Sequence, residues 1–62
     1  MSDQLTYKGF IGSVHFSTDD RVFFGKIESI NDLVTFDGTT VDEFEEAFKY
    51  MVEEHILDNK PQ

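Results

Sequence analysis

The sequence predicts an α+β fold, a two-layer β-β-β-α arrangement in which an antiparallel sheet packs on one helix. Three observations carry this prediction. The chain up to Thr40 is rich in aromatic and β-branched side chains and is cut by two polar breaks, "TDDR" and "SIND". From Val41 onward the apolar residues recur at spacings of three and four, the period of a helix lying on a surface. Between the two regions, "DGTT" combines strand-ending with helix-starting chemistry.

Taken in order, "TYKGFIGSVHFS" (Thr6–Ser17) reads as one long strand. Alternation puts Phe10, Val14 and Phe16 on one face and Tyr7, Ile11 and His15 on the other. Gly9 and Gly12 weaken such a strand and point to a bulge or a close backbone approach. "TDDR" is a turn in which Asp side chains bond nearby backbone. "VFFGKI" (Val22–Ile27) is the return strand, and "LVTFD" (Leu33–Asp37) is a short third strand. Gly38 is expected to end it with a positive φ. Thr40 and Glu43 spell a capping box, and Asp42 and Glu43 sit where the helix dipole favours negative charge. The helix runs from Val41 to about Leu57, with Val41, Phe44, Ala47, Phe48, Met51, Val52 and His55 toward the sheet and Ile56 at the margin. Glu45, Glu46, Glu53 and Glu54 fall on its flanks and outer side, and Glu45–Lys49 forms an i,i+4 pair. The expectation is a single domain over residues 1–62 with an ordered core at about 6–57.

A chain of 62 residues buries only about 60% of the surface its unfolded form exposes, so its core is marginal. It has no Cys, which excludes disulfides and thiolate zinc sites, and His15 and His55 form no ligand pair. Self-association or a larger complex is then the leading means of stabilisation. One helix covers one sheet face, whereas Phe10, Phe16, Phe23 and Phe24 cannot all lie beneath it. The uncovered face is expected to be an interface, with Phe10, Phe16 and Phe23 as the self-association residues.

The formal net charge of −8 disfavours direct contact with DNA or RNA phosphates and suits a basic protein partner. No apolar segment is long enough to span a membrane, and "MSDQLTYK" lacks the regions of a signal peptide, so a cytoplasmic protein is expected. Glu28, Asp32 and Asp37 lie at strand ends or in a break, and Asp19 and Asp20 adjoin in a turn. Acids are common in such places for solvation alone, so a metal-dependent nuclease site is the weaker reading. A Ser–His–acid triad built on Ser13, Ser17 or Ser29 with His15 or His55 is weaker still. Gly9, Gly12 and Gly25 precede no helix and cradle no phosphate. With Lys8, Arg21 and Lys26 the only bases near the aromatics, an RNA-stacking sheet is disfavoured too. The expectation is no catalytic residue, no metal and no cofactor.

The stretch "YKGFIGSVHFSTDDRVFFGKIESINDLVTFDGTTVDEFEEAF" resembles the N-terminal domain of HicB-family antitoxins. The shared pattern is a Tyr-x-Gly strand, an acidic turn, an aromatic-x-Gly-Lys strand, an "I-x-D-L-V-T-F-x-G" segment and an acidic amphipathic helix. The resemblance covers Tyr7 to about Leu57 and is most specific in "GKIESINDLVTFDG", Gly25–Gly38. It implies a partial RNase H-like fold without the catalytic carboxylates of RNase H. It also implies oligomerisation and a partner, the small basic HicA toxin, an mRNA-cleaving ribonuclease with a double-stranded-RNA-binding-like fold. Two departures stand out. Such antitoxins usually continue into a ribbon-helix-helix or helix-turn-helix module, and the expectation is a domain without that DNA-binding part. His55, in "EEHIL", stands where the family's helix often has Tyr. On charge and position alone, Asp19, Asp20, Glu28, Asp32 and Asp37 are the expected toxin-facing residues.

Overall fold

In the computed structural model, which describes residues 4–58, five strands precede one helix. They are β1 (Gln4–Tyr7), β2 (Phe10–Ser13), β3 (His15–Ser17), β4 (Val22–Lys26), β5 (Thr35–Gly38) and α1 (Val41–Asp58). β1 and β2 form a two-stranded antiparallel sheet, and β3-β4-β5 form a three-stranded one. Both pack against α1. The generic β-β-β-α layering read from the sequence holds, but the expected long first strand does not.

That segment instead reverses at Lys8-Gly9, whose φ values of 52° and 83° are both positive. Positive φ at both central residues defines the type I′ turn, whose twist matches a two-residue hairpin. Tyr7 therefore pairs across from Phe10 and shares its face rather than opposing it. Gly9 is the turn residue, not a bulge. Beyond it, β2 and β3 remain in one register: the bridge Gly12↔Ile27 continues the pairing His15↔Phe24 without a shift. Between these points the backbone ladder is interrupted, and the buried Ser13 side chain takes its place. Ser13 Oγ accepts a bond from the Lys26 N–H at 3.0 Å and donates to the Lys26 carbonyl at 3.4 Å. Gly25 makes this possible, because a Cβ there would overlap the Ser13 carbonyl oxygen.

The β3–β4 turn is held by Ser17 rather than by its aspartates. Ser17 Oγ accepts from the Asp20 N–H at 3.3 Å, and the Ser17 carbonyl accepts from the Arg21 N–H at 2.7 Å. Arg21 closes the turn with a φ of 57°. The third main strand begins at Thr35 instead of Leu33. The preceding Val34 still contributes its carbonyl to the Ile27 N–H at 3.0 Å, while Leu33 is exposed.

The helix agrees with its sequence pattern except at Val41, expected toward the sheet but 54% exposed at the first helical position. Phe44, Phe48 and Val52 are buried, and with Ile27 and Phe36 they form the core. Phe36 lies 4.9 Å from Phe44 and 5.1 Å from Phe48 between ring centroids. Burying each such ring is worth roughly 1.5–3 kcal/mol. Gly12 lets the rings reach the sheet: a Cβ there would stand 2.7 Å from Phe48 Cε1 and 2.9 Å from Phe36 Cζ. At the helix start the Glu43 N–H donates to Thr40 Oγ1 at 3.1 Å, as a capping box requires. The returning carboxylate reaches one residue further back, where Glu43 Oε1 accepts from the Thr39 N–H at 3.1 Å and the Thr39 hydroxyl at 2.6 Å. Gly38 has no positive φ. Its requirement is space, since a Cβ would lie 2.5 Å from the Phe44 backbone nitrogen.

Candidate functional site

Strand alternation assigns the two sheet faces. Leu5, Tyr7, Phe10, Val14, Phe23 and Phe36 lie toward the helix and the core. The opposite face carries Ile11, His15, Phe24, Lys26, Thr35 and Asp37 and has no layer over it among the described residues. Its centre is the His15–Phe24 pair, stacked at 5.2 Å with an interplanar angle of 27°, and Phe24 is 43% exposed. Beside the pair, a shallow hollow of about 200 Å³ is lined by Ser13, His15, Phe24, Gly25, Lys26 and Thr35.

The three expected self-association residues are divided. Phe10 packs edge-on against His55 at 5.4 Å, and Phe23 packs against Phe44 at 5.9 Å, so both are half-buried within the fold. Phe16 is 50% exposed and rests on Phe23 at 4.9 Å. Of the exposed aromatics on the sheet, Phe24 is therefore the one the expected set omits. His55, at the position that departs from the HicB pattern, serves as the ring under which Phe10 docks.

The five expected toxin-facing acids do not converge. Asp19 and Asp20 sit in the β3–β4 turn, whereas Glu28 and Asp32 lie in the segment following β4, at the strand's opposite end. A five-residue strand spans about 15 Å at roughly 3.3 Å per residue. Asp37 is apart from both, across the ladder from Phe24 on the open face. Glu28 and Asp32 border a hollow of about 290 Å³ shared with Lys26, Ile27, Ile30, Asn31 and Leu33. Among the described residues, no group of three or more His, Cys, Asp or Glu is placed to hold a metal ion. No helix among them is long and apolar enough to cross a membrane.

Charge is organised where the β1–β2 hairpin meets the helix. Glu53 Oε2 accepts from the Tyr7 hydroxyl at 2.6 Å and pairs with Lys8 Nζ at 2.7 Å. The Lys8 and Tyr7 bonds hold the Glu53 carboxyl below its ordinary range. The same bonds to Glu53 push the Tyr7 phenol and the Lys8 ammonium up. Lys49 Nζ stands 5.8 Å from the Tyr7 ring centroid, and among the described residues the ion pair that forms is Lys8–Glu53, not Glu45–Lys49. Bonds from Thr39 likewise hold Glu43 low.

Sequence reasoning also passed over Tyr50 and Leu57, which are 62% and 63% exposed on α1. They lie off the apolar stripe at a spacing of seven, and that spacing was the signal available in the sequence. Comparison of the chain with protein-family models, with curated proteins and with solved structures gives no match in any of the three.

Proposed function

We propose that this chain is a HicB-like antitoxin domain with a partial RNase H-like fold, which binds a small basic ribonuclease of the HicA type and blocks it by covering its active surface. The reading is supported by one combination above all. A chain of net charge −8 leaves Phe16, Phe24, Leu33, Val41, Tyr50 and Leu57 exposed. Solubility alone accounts for the acids, and the exposed aromatics Phe24 and Tyr50 add side chains of the kind that anchor a binding surface. Acids that attract a basic RNA-binding surface, together with apolar anchors that hold it, suit an inhibitor acting by occlusion. The domain is non-enzymatic on this reading and uses no cofactor. Asp19, Asp20, Glu28, Asp32 and Asp37 contribute as spread steering charges rather than as one contact patch.

The test is co-expression with the reading frames adjacent to the gene, followed by affinity co-purification and a growth assay. Growth rescue with a stoichiometric complex is the expected result, and the absence of both refutes the proposal. A second reading, an oligomerisation module without a toxin, is favoured by the open face around His15 and Phe24. Light scattering distinguishes it, because that module forms stable homo-oligomers yet binds no toxin.

A further inference from the structure

The negative charge of this domain is concentrated in one layer. Helix α1 carries seven of the thirteen acids and Lys49 alone of the five bases, a net −6 of the chain's −8. The open sheet face is close to balanced, with Lys26 set against Asp37 and Glu28. On the helix, Phe48 points into the core. At 3.6 residues per turn, Tyr50 and Leu57 fall within about 20° of the opposite direction, two turns or roughly 10 Å apart. Both are exposed; Glu46 and Glu54 lie on the same outward side, while Glu43 and Glu53 flank it, held by Thr39 and by Lys8 and Tyr7. Two large apolar groups flanked by carboxylates have the layout of a binding surface whose anchors are central and whose charges lie at the rim.

We infer that the outward face of α1, anchored by Tyr50 and Leu57, is the docking surface for a basic protein partner. Charge decides the occupant. A second copy on this face would oppose one −6 helix with another, and nucleic acid or an anionic membrane would meet the same repulsion. A surface bearing Arg and Lys around an apolar centre complements it instead. Identifying that partner with a ribonuclease toxin rests on the function proposed above; the placement of the surface does not.

The experiment is calorimetric titration of the full chain with a catalytically inactive HicA-type toxin. Tyr50→Ala, Leu57→Ala and, on the open sheet face, Phe24→Ala are compared with wild type, with thermal melts confirming that each folds. The expected result is binding weakened about tenfold or more by each helix variant and less than twofold by Phe24→Ala. Weakening by Phe24→Ala with the helix variants unaffected overturns the inference and leaves the antitoxin function standing. If wild type does not bind the toxin, the antitoxin function falls. The surface is then read from amide shifts during titration with a peptide of alternating Arg and Leu. Shifts centred on residues 46–57 uphold it, and shifts centred on residues 11–26 overturn it.

Discussion

The contact of Gly12 with the aromatic core makes a demanding test of the packing. A methyl group at position 12 would sit 2.7 Å and 2.9 Å from two atoms of the Phe48 ring and 2.9 Å from Phe36 Cζ. Ordinary carbon contacts are about 3.5–4.0 Å, so something must move by close to 1 Å. Phe48 is only 2% exposed and packs against Phe36, so its ring has no free volume to enter. Overpacking of this kind costs about 1–3 kcal/mol, and Gly12→Ala is expected to cost about 2 kcal/mol. In a domain this small that corresponds to roughly 8–16 °C in Tm. Phe48→Leu removes Cε1, the nearest of these atoms, at its own cost of about 1–2 kcal/mol. Because the added methyl then fills space vacated by the ring, the double variant should be more stable than the sum of the two losses predicts, by about 1 kcal/mol or more. Urea denaturation of the four proteins of this cycle measures the coupling. Strict additivity would show that the Gly12–Phe48 contact is relieved elsewhere and would refute the packing account.

The remaining predictions concern the backbone and the pH dependence. Ser13→Ala leaves the Lys26 N–H without its acceptor and should cost about 1–3 kcal/mol in thermal or chemical denaturation. Thr40→Ala removes the N-cap oxygen and should cost about 1 kcal/mol, with a matching loss of helical circular dichroism on heating. Glu53 and Glu43 have carboxyls depressed in the folded state, so their contribution is complete above the ordinary carboxylate pKa and disappears as pH falls through the lowered folded values. Glu53→Gln with Glu43→Gln should therefore flatten the acid side of the stability–pH profile, and an unchanged profile would refute the assignment. Tyr7 and Lys8 act in the opposite sense. Their raised values favour the protonated folded form, and that stability is lost as pH rises through the raised folded values.

The helix was legible because its signals are local. A cap at Thr40, acids in the first turn and an apolar period running to Ile56 all belong to neighbouring residues, and the observed Val41–Asp58 follows them. The β1–β2 hairpin was hidden because its turn is Lys8-Gly9, with Lys at a positive φ where Asn or Asp is the usual signal. Missing that reversal put Tyr7 on the wrong face and with it concealed the Tyr7–Glu53 bond to the helix. The reason for Gly38 is the helix backbone beside it, a neighbour that local sequence does not reveal. The five acids share charge and a place at turns or strand ends. In space, β4 holds Asp19 and Asp20 apart from Glu28 and Asp32, so charge and position carried no information about a shared surface. Tyr50 and Leu57 were visible as exceptions to the apolar stripe, but an exception acquires meaning only once the core side of the helix is fixed.

Most of a β-sheet is indifferent to sequence, because main-chain groups that every residue possesses hold neighbouring strands together. At Ser13 that indifference ends. Beside the bond from the Glu28 N–H to the Ile11 carbonyl, the join between the β1–β2 hairpin and the three-stranded sheet passes through the Ser13 hydroxyl, next to a Gly25 whose Cβ would overlap the Ser13 carbonyl oxygen. Positions 13 and 25 therefore act as a matched pin and socket. Replacing either should loosen this join between the two sheet segments, even where the fold survives.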